Sequence, residues 1–463
     1  MRTYPRSARY VAVVATLLAA PLLGGTAHAS SYGTPDIKLA DSYLSGAVGS
    51  TGDPVATVTV SQSGATAAQL TVTATHTTGK SVAQPGDVTI TGTGATRTVA
   101  IAAEGQGETD VTLEVTGGGG KTATTTLHYA ASPSVQDAAQ TRYWTGAADA
   151  SAAVDLGGGY TVVGDDENNT LRLYQDQTSG APVKTWDFSS QLGLSDDDEL
   201  DLEAAARVGD TIYWTGSMGN NKDGKLEPDR AILFTTNVTG SGATAGLTFG
   251  GYYTGLRDDL VAWDQANGNR FGFAAGSAAG QIPKEANGFN VEGLEFAAGS
   301  TSTAYIAFRA PLVPPAGDGK ALLVPVTDMG QLVSGSPQTA THATFGDPVE
   351  MDLGGLSFRD IRKNAQNQYL IIAGSWAADD NTEPYVLYSW DGVPADAPAK
   401  LMTVPTEYGG WEDIITVPDL TQPSPVVQLV QDDGSADLYG DGTEAKDLDQ
   451  TEWQKSRTTW FTL

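Results

Sequence analysis

The chain has 463 residues, with 55 Asp and Glu against 26 Lys and Arg, a formal net charge of −29 and no cysteine. Such a charge excludes binding to nucleic acid through its phosphates and favours cations instead. The absence of cysteine excludes disulfides, thiolate nucleophiles and thiolate metal sites, so stability must come from cores that a chain of this length can build in two domains.

In chain order, residues 1–29 carry the pattern of a signal peptide. Arg2, Arg6 and Arg9 form a positive start, 11–23 is an apolar run, and Ala27, His28 and Ala29 form a small-residue cleavage site before Ser30. The run is short for a bilayer span and no later stretch is a candidate, so the expectation is a secreted protein with no membrane span. Residues 30–132 alternate Thr with Val, Ala, Ile and Leu at 55–60, 70–75, 88–91, 97–101, 110–115 and 123–129. Strands with turn signals at this spacing predict a small β-sandwich similar to the immunoglobulin-like modules of exported bacterial proteins. The four glycines at 117–120 read as a hairpin turn, and 133–140 as the linker to a second domain over 141–463.

That second domain is repetitive. An acidic opening at 196–203 is followed by strand patterns at 211–216 and 231–235. The layout recurs from Asn290, with strands at 304–308 and 321–326, and from Asp352, with strands at 369–374 and 385–390. A looser copy opens at 409–414 and continues into 426–430, and an early copy lies at 159–164 and 170–174. One four-stranded sheet cannot bury both of its faces, so recurring copies must stack, which predicts a β-propeller of roughly six blades by length. Leu256, Leu260 and Trp263 fall on one helical stripe and predict a short inserted helix, after which 271–276 returns to a strand pattern. The apolar residues at 458–463 predict a strand that closes the ring by pairing with the first blade and so removes a free edge.

Chemistry is expected where the repeats converge. If each copy begins its inner strand near its acidic opening, Glu203, Glu292, Asp352 and Glu412, with Asp165, meet at one mouth of the channel. Crowded carboxylates repel unless a cation sits among them, and an all-oxygen set suits Ca2+. The metal set is therefore Glu203, Glu292, Asp352 and Glu412, with Glu203 and Glu292 as the catalytic pair; the alternative for each is a turn cap within its own blade. Arg207, Arg309 and Arg359 follow the acidic openings and are the candidates for binding an anionic ligand, although a structural pair of Arg359 with Asp360 is the other reading. The loop at 220–227 resembles a calcium loop but lacks the acidic first ligand, so it reads as an exposed turn. His76, His128 and His342 are scattered, and neither a nucleophile elbow nor a phosphate loop is present.

The segments DLEAAARVGDTIYWTGS with PDRAILF, NVEGLEF with AFRAPL and ALLVPV, and DLGGLSFRDI with YLIIAGSW and LYSWDG resemble the bacterial domain-of-unknown-function family 3616 over about 141–440. The Glu–Gly motif is also similar to that of the esterase-like phytase group. The resemblance implies a propeller-like domain in exported or cell-envelope proteins, and this chain departs from it at Ala204 and Glu295. Two functions are expected of such a chain: a divalent-metal-dependent hydrolase of phosphate or other esters, or a non-catalytic propeller that binds a small-molecule or extracellular ligand.

Overall fold

A computed structural model describes residues 32–195, 198–334, 341–377 and 383–463. The signal-peptide reading of 1–29 and the acidic residues Asp196 and Asp197 lie outside the described residues. The fold is all-β, built from four-stranded sheets of which none closes on itself.

The expected strands of residues 30–132 form two of these sheets. One orders Asp36–Leu39, Ala56–Ser61, Thr96–Ile101 and Val88–Thr91; the other orders Tyr43–Ala47, Thr122–Ser132, Gly107–Thr116 and Thr71–Thr77. Their inward residues, such as Val58 and Val99 from one and Val111, Leu113 and Leu127 from the other, share one apolar core. The glycines at 117–120 turn the last hairpin, with Gly119 and Gly120 at positive φ, where a side chain would be strained.

Beyond residue 140 the described residues form five more sheets. Sheet I holds Ala150–Asp155, Tyr160–Asp165, Thr170–Gln175 and Lys184–Asp187. Sheet II holds Leu202–Val208, Thr211–Gly216, Leu233–Thr239 and Gly246–Tyr253. Sheet III holds Asn290–Phe296, Ala304–Val313, Lys320–Val326 and Val349–Met351. Sheet IV holds Ser357–Lys363, Tyr369–Gly374, Tyr385–Trp390 and Ala399–Val404. Sheet V holds Gly410–Thr416, Val426–Asp432 and Lys455–Thr462, and takes its outermost strand, Thr141–Thr145, from the other end of this region.

The first strands of sheets I to V touch in cyclic order, V returning to I. An apolar cluster fills each junction: I with II, II with III, III with IV, IV with V, and V with I through Ile415, Val430, Ala153 and Val163. Both faces of each sheet are thus covered, which is why a middle strand such as Tyr369–Gly374 is apolar and buried throughout rather than alternating.

Three expectations change. Five sheets stand where about six were predicted, because 254–289 is an insertion rather than a further sheet. Its helix, Leu256–Ala266, buries Leu256 and Leu260 as the stripe predicted. The strand expected at 271–276 is instead a helical turn, Phe273–Gly276: buried Asp264 accepts the backbone N–H of Phe271 (3.0 Å) and Phe273 (3.1 Å), removing the donors a ladder needs. Finally, the closing strand Lys455–Thr462 pairs with Thr141–Thr145, which precedes sheet I and completes sheet V.

Candidate metal and ligand site

Every first strand of the ring carries a β-bulge near its N-terminal end. The register skips Ser151 in sheet I, Glu203 in II, Glu292 in III, Arg359 in IV and Glu412 in V, each standing opposite two consecutive partners. A bulge re-aims one side chain out of the pleat, so these five are equivalent positions around one mouth of the ring. All five are buried.

Glu203 belongs to a carboxylate cluster. Oxygens of Asp166, Asp201 and Glu203 lie within 4.8 Å of one another. Asp201 holds a left-handed backbone (φ 52°), a strained conformation for a residue with a Cβ, and its carboxylate pairs with Arg230 at 3.0 Å. Arg230 also holds Glu199 at 2.8 Å. Burial first, then Glu292, Asp201 and Glu412, push the Glu203 carboxyl well above the usual range. Burial and the fields of Glu203, Asp149 and Asp432 do the same to Asp166. Asp149 is pushed up to about 10 by burial and by Asp432 and Asp165, and Asp165 to about 6 chiefly by burial.

Glu292 behaves differently. Burial would raise it, but Arg359 and Arg309 hold its carboxyl below the ordinary value. Arg309 Nη1 donates to one oxygen at 3.0 Å and Arg359 Nη1 to the other at 3.2 Å. Arg359 Nη2 also meets Glu412 at 2.9 Å, while Arg309 bonds the carbonyls of Trp376 and Ala377. The mouth is therefore half acidic cluster and half neutralised Glu–Arg network.

The ring brings together Glu203, Glu292, Arg309, Arg359 and Glu412 of the predicted set. Asp165 sits beside them at the end of its strand, where its carboxylate accepts from the N–H groups of Asp149 (3.3 Å) and Glu167 (3.2 Å). Asp352 does not join them: it is exposed in the turn before sheet IV, where Oδ1 accepts the Gly354 N–H at 3.0 Å, and the position equivalent to Glu203 is Arg359. Arg207 does not join them either. It lies toward the C-terminal end of Leu202–Val208, the strand that carries Glu203, and its guanidinium donates to the carbonyls of Gly209 and Asp155, both at 2.9 Å. The Arg359–Asp360 pair is absent, because Asp360 faces Ile414 N (2.9 Å) and Arg362 (3.8 Å). The loop at 220–227 is a turn, with Asn221 Oδ1 accepting from Asp223 and Lys225.

Sequence reasoning missed Ser151, Asp166, Asp201 and Arg362. Arg362 closes the ring below the bulges: from sheet IV it donates to Ile414 O in V (3.1 Å), Ala153 O in I (2.9 Å) and Ala205 O in II, and pairs with Asp413 at 2.9 Å. The alignment of bulges reveals Ser151, while Asp166, Asp201 and Arg362 emerge only from the packing around the bulges, and no run of apolar letters encodes either.

The donor set fits a hard divalent cation. All its atoms are carboxylate oxygens, and buried oxygens of Asp166 (Oδ1) and Glu412 (Oε2) have no hydrogen-bond partner.

No protein-family model matches the chain, and no curated protein does. Among solved structures it is similar to a luciferin-regenerating enzyme at 7% identity, over 77% of this chain and 87% of that one, with a TM-score of 0.28. A DUF4784 family protein from Bacteroides caccae shares 10% identity over 92% of this chain and 98% of that one, with a TM-score of 0.19. The protocadherin gammaB7 EC3-6 cis-dimer shares 10% identity over 80% and 75%, with a TM-score of 0.17. Overlaps this loose transfer neither fold nor activity.

Proposed function

We propose that residues 141–463 are a five-bladed β-propeller behind an immunoglobulin-like sandwich, that the protein is exported, and that the bulge-lined mouth binds a divalent cation, Ca2+, at Asp166, Asp201 and Glu203. The cyclic contacts of the first strands and the five junction cores support the propeller reading. The leader pattern supports export, and the motifs quoted above support a place in family 3616. The observation that carries the cation site is the meeting of three carboxylates within 4.8 Å, two of them buried, in a cluster whose repulsion Arg230 relieves at Asp201 and a proton or a bound cation would relieve at Asp166 and Glu203.

A bound cation of this kind would polarise a phosphoryl or ester oxygen and lower the pKa of its water. Around it, Glu203 and Glu412 would hold or pass a proton, while Glu292, clamped by two arginines, stays ionised and keeps Arg309 and Arg359 in place. This is the arrangement of a metal-dependent esterase or phosphatase. The saturation of both arginines by Glu292, Glu412 and two carbonyls favours the second reading, a propeller that binds its ligand through the cation without chemistry.

Titration calorimetry with CaCl2 tests the site. The parent is expected to bind calcium at millimolar concentration or tighter, and Glu203→Gln and Asp166→Asn are each expected to weaken it by about tenfold or more. A parent that takes up no divalent ion overturns the cation site. Calcium binding without any calcium-dependent release of nitrophenol from p-nitrophenyl phosphate or acetate overturns the hydrolase and leaves the binding reading.

A further inference from the structure

The ring has a second mouth, where cations as well as carboxylates line the opening. A cavity of about 520 Å3 is lined by the C-terminal ends of all five first strands. That volume lies within the range of small-molecule sites. Arg362, whose guanidinium ties sheets I, II and V to IV, lines this cavity and separates it from the bulge positions.

The cations at this mouth are loosely paired. Arg207 spends two N–H groups on backbone carbonyls, and its one carboxylate partner, Asp210, stands 3.9 Å away with a side chain 86% exposed. Lys363 Nζ stands 3.9 Å from Glu295, whose oxygens already accept the backbone N–H groups of Lys363 (2.9 Å) and Phe296 (2.6 Å). Asp155, the other acid in the lining, accepts from Gly157 N at 2.7 Å. Arg362 is neutralised by Asp413 and Asp360. Two cations thus sit at the rim with long ion pairs, in a chain that is otherwise strongly acidic. Beside them the lining is mixed: Val154, Ile415 and Val417, whose side chains are mostly buried in the sheet junctions, give its apolar part, and Asn364, Gln366 and Thr416 its polar part.

We infer that this second mouth binds a small organic anion, its carboxylate or phosphate head held by Arg207 and Lys363 and its apolar part laid against Val154, Ile415 and Val417. Guanidinium and ammonium groups supply charge-assisted hydrogen bonds to either head, and the apolar part of the lining selects for a short tail. The site is separate from the cation site and does not depend on it.

Titration calorimetry on the full chain tests this with four probes: hexanoate, hexyl phosphate, hexanol and inorganic phosphate. At least one of the two tailed anions is expected to bind, and whichever binds more tightly identifies the head. Hexanol and inorganic phosphate, each lacking one half of the recognition, are expected to bind about tenfold more weakly. Arg207→Gln is expected to weaken the tailed anion by about tenfold while leaving the calcium titration as in the parent. Lys363→Gln, which is less buried in backbone bonds, gives the same test should Arg207→Gln fail to fold by circular dichroism. The inference is overturned if neither tailed anion binds at about 10 mM, if hexanol binds as tightly as they do, or if the folded variants bind like the parent.

Discussion

Asp166, Asp201 and Glu203 put three carboxylates into one space, and for Asp166 and Glu203, as for Asp149 near them, the cost appears as raised proton affinity. Each such group binds a proton more tightly folded than unfolded. Its contribution to stability is therefore fully present below the unfolded carboxylate pKa and is lost as pH rises through the folded value, which for Asp149 is about 10. The cluster should thus weaken the fold progressively between about pH 4 and pH 10. Calcium competes with those protons, so its stabilising effect grows with pH. Thermal melts with calcium and with chelator are expected to differ more at pH 8 than at pH 5, and Glu203→Gln to shrink that difference; equal differences at both pH values would contradict the reading. Glu203, Glu292 and Glu412 were legible in the sequence because each stands at the opening of a repeat. Asp352 looked the same in letters but caps a turn, and Arg359, seven residues on, holds the structural position. Asp166 and Asp201 flank strands and carry no periodic mark of their own.

At the scale of elements, the apolar strand patterns were legible almost throughout, because burial of both sheet faces requires continuous runs of Val, Ile, Leu and aromatics. The outermost strands of sheets I to IV and the first strand of sheet I were not, and neither was the first strand of sheet IV: Ser357–Lys363 reads SFRDIRK, and three of its four charges, Arg359, Asp360 and Arg362, are buried in the ring centre instead of lying on a surface. A charged strand reads as exposed until its partners are known. Arg362 shows the consequence. Replacing it with Met keeps the length but leaves the carbonyls of Ala153, Ala205 and Ile414 and the Asp413 carboxylate without their donor. Arg362→Met is expected to cost about 3–5 kcal/mol, read as a melting temperature lower by roughly ten degrees in a calorimetric scan. Phe461 gives an apolar counterpart: it is buried edge-on against Trp411, with ring centres 5.2 Å apart, and Phe461→Ala is expected to cost about 3 kcal/mol by cavity formation. A change of under about 1 kcal/mol for either would mean that the centre or the closing strand tolerates loss of its contacts.

Across the whole molecule, the N-terminal sheets and the ring share a buried joint. Lys455, in the closing strand, is fully buried and donates to Gly46 O in the N-terminal sheets at 2.6 Å, with its ammonium over the Tyr143 and Tyr439 rings. Burial, aided by Arg457 and opposed by Asp53 and Asp433, lowers its pKa to about 7. A depressed lysine penalises the fold fully below pH 7, and the penalty fades as pH rises toward the unfolded value of about 10.4. Comparison with Lys455→Met cancels the groups the two proteins share. The stability of the parent relative to the variant is expected to rise between pH 6 and pH 9 in chemical denaturation; a constant difference would show that Lys455 stays protonated in the folded state throughout this range and is not depressed. The sequence suggested two independent domains with a linker at 133–140, and a lone lysine among aromatic letters gave no sign that the two halves meet around it.

The last sheet has a temporal meaning as well. Thr141–Thr145 emerges early and waits for Lys455–Thr462, paired across more than 300 residues of intervening chain. Until that partner is made, sheet V lacks its third strand, Thr141–Thr145 has nothing to pair with in that sheet, the junction of IV with V lacks Phe461, and Arg457 is not there to meet Asp433. A nascent or truncated chain without Lys455–Thr462 can stack sheets I to IV as an open arc but cannot complete sheet V, so the arrival of that strand is the event that commits the ring to its final state. Were the chain, exported as proposed above, to cross unfolded, that delay would keep it pliable until nearly all of it had crossed the membrane.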